Sequence, residues 1–464
     1  MCIMHLKDMT INELITVDYA CDCGRHHHMA IDHLAVGKGA VNKLPEFLAE
    51  QKMKDGTPLT KEDKIFVVAD VHTWYVNGEK VYNMVKELGY PVEYYIMPHE
   101  EMHTTEVYIG ELDEHMPQDV KLPLACGSGT INDLTRMVSF KREIPYYIIG
   151  TAPSMDGFAT DVAPATIKGL KCSLPAHCAS GIIGDTDFLS TAPDKMVAAG
   201  IGDIIAKYIA INDWKLSHII NDEYFCEEVS ELMLQSTDKV ANSVDGLVSG
   251  DPEAYTYLME CLVLIGIAMG YVNNSRPGSG AEHSMGHVLE MKCALKGLYG
   301  ELHGTSVGMA TCVMAKMYEK FLTLDIDYDK ARAHADAFDY DAWVAEVNRV
   351  FGSSAPQILK VFEKAGQHKP ENVRRRIDRI EQNEAQIRAI LTETVEKAKK
   401  APEYIGAMHG MITPKDYKVF SKEEFRDILT YTKEQRDRYA GLQFFYDLGV
   451  LDELVDYIID LYYD

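Results

Sequence analysis

Leu122-Pro123-Leu124-Ala125-Cys126-Gly127-Ser128-Gly129-Thr130-Ile131-Asn132-Asp133 is an apolar run that breaks into small residues and then opens into the helix-like Leu134-Thr135-Arg136-Met137-Val138. A continuous apolar run is what a parallel strand covered on both faces requires. Gly127 and Gly129 let the backbone come close to a ligand, and the free N–H groups that open the following helix suit phosphate oxygens. Gly-Ser-Gly turns are common as plain connections, so the position between a strand and a helix is what makes this one a candidate pyrophosphate loop. Outward from it, Ile65 to Asp70, Val92 to Met97 and Tyr146 to Gly150 are runs of the same kind, separated by helix-like segments. The pattern predicts a doubly wound α/β domain whose ligand sits outside the carboxyl ends of the strands, where Asp70 and the residues after Cys126 stand.

After Asp187 the texture changes. Thr191-Ala192-Pro193 reads as a linker, and the remainder carries 3.6-residue periodicity with few β-branched runs, so residues 1–190 are expected to form the α/β domain and 191–464 an all-helical domain. Val373, Ile377, Ile380, Ile387, Leu391, Val395 and Ala398 form one apolar helix stripe, a packing surface without chemistry. Pro252, Pro356, Pro370 and Pro402 mark helix starts or breaks. The longest apolar run, Cys261 to Val272, is too short to span a bilayer and is expected to be a buried helix.

The chain has 464 residues with 46 Lys plus Arg against 71 Asp plus Glu, a formal charge of −25. Such a surface repels phosphate backbones and anionic headgroups, so no nucleic-acid or membrane partner is expected and any anionic ligand must be small and enclosed. The ten cysteines are spread from Cys2 to Cys312 with one close pair, which fits reduced thiols in a cytoplasmic protein.

Three further groups of residues can carry chemistry. The loop Gly150 to Thr160 is rich in hydroxyls and holds one carboxylate, Asp156, which taken alone reads as a turn or cap residue. Asp203, His283, His287 and His303 lie in stretches of small and apolar residues. His283 and His287 are four apart, about 40° in helical projection, so both can look into one cleft. One carboxylate and two imidazoles with an open position suit a divalent transition metal acting as a Lewis acid. Cys21-Asp22-Cys23-Gly24-Arg25-His26-His27-His28 is also metal-like, but its ligands crowd a span too short for a separate zinc domain, and incidental or weak binding is the expectation.

In this order, Cys21-x-Cys-Gly, Gly127-Ser-Gly-Thr-Ile-Asn-Asp, Thr151-Ala-Pro-Ser-Met-Asp-Gly-Phe-Ala, Ala199-Gly-Ile-Gly-Asp, Ser279-Gly-Ala-Glu-His and Leu302-His-Gly resemble the iron-containing alcohol dehydrogenase superfamily, and within it the bacterial sn-glycerol-1-phosphate dehydrogenases of the AraM type. The resemblance implies a dehydroquinate synthase-like fold, a dinucleotide-binding domain followed by a helical metal-binding domain. It implies that Gly127, Ser128, Gly129, Thr130, Ile131, Asn132 and Asp133 hold the pyrophosphate of NAD or NADP, with Asp70 on the adenosine ribose. Thr151, Ala152, Pro153, Ser154 and Thr160 would line the nicotinamide. Asp203, His283 and His303 would hold the metal, and Asp156 and His287 would meet the substrate. The family often has Lys where Arg136 stands, and residues 305–464 match no motif.

The implied activity is NAD(P)-dependent, metal-dependent interconversion of dihydroxyacetone phosphate and sn-glycerol 1-phosphate, with catalytic Asp156, His287 and Asp203, and zinc or nickel, or iron, as the metal. Arg276 is the expected cation for the substrate phosphate. The partner is then a small molecule, and a homo-oligomer, dimer or larger, is expected. The alternatives are a polyol or alcohol dehydrogenase of the same superfamily, a 3-dehydroquinate synthase-like lyase, which Asp203 in place of a typical glutamate disfavours, and a non-catalytic nucleotide-binding protein.

Overall fold

A computed structural model describes residues 5–167 and 170–463. Its strands are β1 (Tyr19–Ala20), β2 (His26–His27), β3 (His33–Gly37), β4 (Lys64–Asp70), β5 (Val92–Met97), β6 (Val120–Gly127), β7 (Tyr147–Gly150), β8 (Val162–Ile167), β9 (Leu170–Pro175) and β10 (Gly181–Asp185). Six of them form one parallel sheet in the order β3-β10-β7-β6-β4-β5, while β1-β2 and β8-β9 are antiparallel hairpins. The four apolar runs read from the sequence are β4 to β7, and they fill the middle and one edge of the sheet. β3 and β10 were not read from the sequence.

The sheet is apolar because it is covered. Ile65, Val67, Leu122, Leu124, Ile149 and Ile183 pack in one buried cluster with Val41, Leu44, Val81 and Val85 from the flanking helices. The chain order changes direction between β4 and β6, which are neighbours: β4 leads to β5 on one side, and the chain then returns to β6 on the other. A crevice opens outside the carboxyl ends at such a reversal. Asp70 ends β4 and Gly127 ends β6.

The chain divides into two compact units. The first comprises Met1–Gly200 and Glu231–Asn274, the second Ile201–Ser230 and Ser275–Asp464. The division is interleaved where a single cut after residue 190 was expected. Residues 191–193 form the turn before the helix Asp194–Ile205, and the change of unit falls inside that helix. Among the described residues every element of the second unit is helical.

Cys261 to Val272 turns out to be the second half of a 21-residue helix, Pro252–Val272. That helix is long and apolar enough to cross a membrane by length and composition, but 72% of its most apolar window is buried. It packs within the first unit, against β3 and against Gly157–Ala159, where a Cβ on Gly266 would meet the Ala159 backbone at 2.6 Å.

The stripe from Val373 to Ala398 is buried throughout, but it belongs to two helices, Pro370–Gln382 and Glu384–Ala398. Asn383 interrupts them. Its side-chain amide donates to the Arg379 carbonyl at 2.8 Å, a local bond that competes with helix continuation.

Candidate active site

In the first unit, β6 delivers Gly127 into the turn and Ser128 starts the helix Gly129–Lys141. A Cβ on Gly127 would lie 2.5 Å from the Ile131 Cβ, so only glycine fits that corner. The turn is tied to the next loop: Thr151 N–H donates to the Gly127 carbonyl at 3.0 Å, and the Ser128 hydroxyl donates to the Ala152 carbonyl at 3.1 Å and lies 2.7 Å from the Ser154 hydroxyl. Gly127 to Asp133 and Thr151 to Ser154 are therefore one continuous rim. Residues 129–131 are the first turn of that helix and aim their N–H groups out of its end, as an anion site requires.

Several side chains of this rim are occupied in holding it. Arg136 is fully buried and donates to Asp133 Oδ1 (2.9 Å), the Tyr146 hydroxyl (2.8 Å), the Val162 carbonyl (2.9 Å) and the Gly157 carbonyl. Asn132 Nδ2 donates to the Gly157 carbonyl, and the Thr160 hydroxyl donates to Gly157 and Val162 carbonyls. The Asn132, Asp133 and Thr160 side chains thus brace the 157–162 loop. Asp70 Oδ1 accepts from His72 and Thr73 N–H, each at 2.8 Å, which fixes the turn after β4. Asp156 stands at the N-cap position of the Gly157–Ala159 turn, as a turn or cap residue would, although its side chain makes no cap hydrogen bond.

In the second unit, Asp203 comes from the helix Asp194–Ile205, His283 and His287 from Ala281–Leu295, and His303 opens His303–Phe321. Glycine makes the meeting possible: a Cβ on Gly202 would lie 2.5 Å from the Gly304 carbonyl oxygen and 3.0 Å from Gly308 Cα. The two helices touch backbone to backbone, and the neighbours Asp203 and His303 come together. One donor atom each from Asp203, His283 and His303 lie within 4.8 Å of one another. Asp203 is fully buried and His283 is 4% exposed.

Three residues the sequence reading passed over complete this site. Lys207, fully buried one turn after Asp203, donates from Nζ to Asp203 Oδ1 at 3.1 Å and to the Gly278 carbonyl at 2.9 Å. Burial by itself raises the Asp203 carboxyl, but the Lys207 ammonium, with His283 and His303, outweighs it and holds that carboxyl far below the ordinary range. Glu282 Oε1 accepts from His283 Nδ1 at 2.8 Å, and Glu290 Oε1 accepts from His303 Nδ1 at 3.2 Å. Carboxylates on the far nitrogens fix the tautomers and leave Nε2 of each ring for a ligand. His287, Glu290 and His303 also cluster within 4.8 Å, with His287 Nδ1 3.7 Å from Glu290 Oε2. The spacings Asp203 to Lys207 and His287 to Glu290, one turn each on a helix face, were the available signals.

Arg276 does not fit its expected role. It is 3% exposed, its Nε donates to Glu223 Oε1 at 2.7 Å, its NH2 to Glu223 Oε2, and its NH1 to the Tyr439 carbonyl at 2.8 Å. Its guanidinium is a structural tie. Nearby, Arg436 NH1 lies 3.4 Å from the Ser279 hydroxyl, and Arg438 donates to the Ser279 carbonyl (2.8 Å) and the Ser275 hydroxyl (2.7 Å). Burial and the neighbouring guanidiniums pull the Arg438 pKa down to about 9, and burial lowers Arg436 as well. Positive charge is crowded here.

The Iron-containing alcohol dehydrogenase family model matches residues 35–193. Among curated relatives, a glycerol-1-phosphate dehydrogenase [NAD(P)+] of Halalkalibacterium halodurans is 35% identical over 303 residues, 64% of this chain and 74% of its own. One of Bacillus licheniformis is 27% identical over 445 residues, 94% of each chain. Among solved structures, glycerol dehydrogenase from Schizosaccharomyces pombe superposes with a TM-score of 0.59 at 13% identity, covering 93% of this chain and 91% of that one, a likeness of fold.

Proposed function

Because the chain belongs to the iron-containing alcohol dehydrogenase superfamily, in its glycerol-1-phosphate dehydrogenase branch, we propose that it interconverts dihydroxyacetone phosphate and sn-glycerol 1-phosphate with NAD(P) and a divalent metal. The observation that carries the reading is the Asp203, His283 and His303 donor cluster, in a chain 35% identical to such an enzyme. A carboxylate and two imidazoles fit a divalent transition metal, and we assign zinc or nickel, with iron as the other candidate. The glycine corner at Gly127 and the N–H groups of residues 129–131 fit a dinucleotide pyrophosphate.

When bound, the metal supplies Lewis-acid polarisation of the C2 oxygen and the reduced nicotinamide supplies hydride to C2. The chain's own residues do the rest. Lys207 keeps Asp203 ionised and so able to offer a carboxylate oxygen, while Glu282 and Glu290 supply the negative charge that favours a cation. Glu282 and Glu290 hold His283 and His303 in the tautomers that present Nε2. His287, beside Glu290, gives a proton from its ring to the C2 oxygen in reduction and takes it back in oxidation. Asp156 accepts from substrate hydroxyls. Arg436 and Arg438, in place of Arg276, supply cationic donors for the phosphate, whose binding orients C2.

The test is a comparison of dihydroxyacetone phosphate with dihydroxyacetone, using NADH and NADPH in turn. The phosphorylated ketone is expected to be reduced with at least about a hundredfold higher kcat/KM, since a charge-assisted anchor contributes about 1.5–3 kcal/mol per bond. Equal efficiencies would favour an unphosphorylated polyol instead.

A further inference from the structure

Cys21 and Cys23 lie in the turn of the β1-β2 hairpin, where Tyr19 pairs with His27 and Ala20 with His26. The turn is closed by Cys21 N–H donating to the Arg25 carbonyl at 3.1 Å and Gly24 N–H to the Cys21 carbonyl at 3.0 Å. Strand alternation sorts the three consecutive histidines. His26 is exposed and pairs with Asp18 at 2.8 Å, His28 is exposed, and His27 is fully buried on the inner face.

His27 is oriented as a ligand. Its Nδ1–H donates to the Tyr271 carbonyl at 3.0 Å, which places the lone pair on Nε2, and Nε2 lies 3.5 Å from Cys23 Sγ. The Tyr271 ring stacks on the imidazole at 5.2 Å. The Cys23 N–H points at Cys21 Sγ at 3.5 Å, a contact that stabilises a thiolate. The two sulfurs and a His27 ring nitrogen all lie within 4.8 Å of one another, and Cys21 is 9% exposed. All of this is built inside the first unit and owes nothing to Asp203, His283 and His303.

The geometry points to a second metal site: Cys21, Cys23 and His27 bind a structural zinc ion that clamps the β1-β2 hairpin to the end of the helix Pro252–Val272. Each thiol gives up its proton on binding, and the resulting pair of thiolates with one imidazole leaves one tetrahedral position for a fourth donor. Thiolate donors select zinc over magnesium or calcium. The histidine donating its other N–H to a backbone carbonyl is the supporting arrangement metal-binding histidines adopt. Two contacts hold the same place, Arg25 to the Val272 carbonyl and the Tyr271 hydroxyl to the Leu14 carbonyl. The short Cys-x-Cys span led to an expectation of weak, incidental binding, whereas the proposal rests on the hairpin bringing both sulfurs and the His27 ring together.

The test is full-length protein purified under reducing conditions, stripped and reloaded with cobalt(II). Sulfur ligation gives an intense thiolate-to-cobalt charge-transfer absorption, which a carboxylate–imidazole site cannot produce. The band is expected in the unmodified protein and in His283→Ala, and absent in Cys21→Ser/Cys23→Ser. Elemental analysis of the zinc-loaded double variant is expected to show the loss of one metal equivalent per chain. A cobalt-loaded protein without the band, or a band that survives the double substitution, overturns the site. Because His283→Ala keeps the band, failure of the dehydrogenase reading is distinguishable from failure of this one.

Discussion

His303 and Glu290 show how one bond sets a tautomer. Glu290 accepts from His303 Nδ1 at 3.2 Å and thereby leaves Nε2 for the proposed cation. Glu290→Gln is expected to weaken metal retention by about ten- to a hundredfold, the usual cost of losing a supporting carboxylate, while His303→Ala abolishes it at the Asp203 site. Metal analysis after dialysis against a graded chelator separates the two, and equal retention in His303→Ala would remove that histidine from the ligand set. Arg436 carries the residue-scale prediction for substrate. Its guanidinium makes bonds to Gln435 at 2.7 Å and Ser279 at 3.4 Å, whereas Arg276 is held by Glu223. Arg436→Ala is expected to raise KM for dihydroxyacetone phosphate by at least about tenfold and to leave dihydroxyacetone reduction unchanged. Steady-state kinetics on both ketones checks it.

At the scale of elements, two glycines decide where helices start and how close they come. Gly127→Val would drive its branched side chain into Ile131, already 2.5 Å from an added Cβ, and push the helix Gly129–Lys141 off the end of β6. Dinucleotide affinity is expected to fall with metal content unchanged, because the proposed metal donors are on other elements. NADH fluorescence titration beside elemental analysis reads both, and an unaltered dissociation constant would move the pyrophosphate elsewhere. Gly202→Ala does the reverse. Its methyl would meet the Gly304 carbonyl at 2.5 Å, parting the helices that carry Asp203 and His303. A stability loss of about 1–3 kcal/mol, typical of overpacking, is expected together with weaker metal retention and intact NADH binding.

The whole molecule is expected to lose stability on mild acidification, and His177 contributes to that loss. Burial, helped by Lys54 and Arg136, lowers its pKa to about 4, and neither ring nitrogen has a hydrogen-bond partner. The folded state therefore keeps this ring neutral, whereas the unfolded chain protonates it near 6.5. Its contribution is fully present above pH 6.5 and is lost as pH falls from 6.5 towards 4, since the unfolded state then binds the extra proton. The ring is partly exposed, so the effect is roughly 1 kcal/mol after solvent screening. His177→Phe is expected to narrow the difference in melting temperature between pH 7 and pH 5; an identical acid limb in the variant would assign the loss to other groups.

The sequence by itself determined β4 to β7, because strands buried on both faces must be continuously apolar, and it marked Asp203 and His283 as candidate donors, because small flanking residues signal burial, while the choice of His303 as third donor came from the family resemblance. β3 and β10 escaped: His33-Leu-Ala-Val-Gly and Gly181-Ile-Ile-Gly-Asp are short and interrupted by glycine or histidine, and they become strands through pairing with each other and, for β10, with β7. The stripe from Val373 to Ala398 revealed burial but not the break at Asn383, since an amide choosing a backbone carbonyl leaves the apolar period intact. Only the tertiary structure decided which arginine is spent on Glu223, which of three adjacent histidines faces two thiols, and which carboxylates hold His283 and His303. Those outcomes depend on which side chains distant stretches bring within hydrogen-bond reach, and local pattern carries no record of that distance.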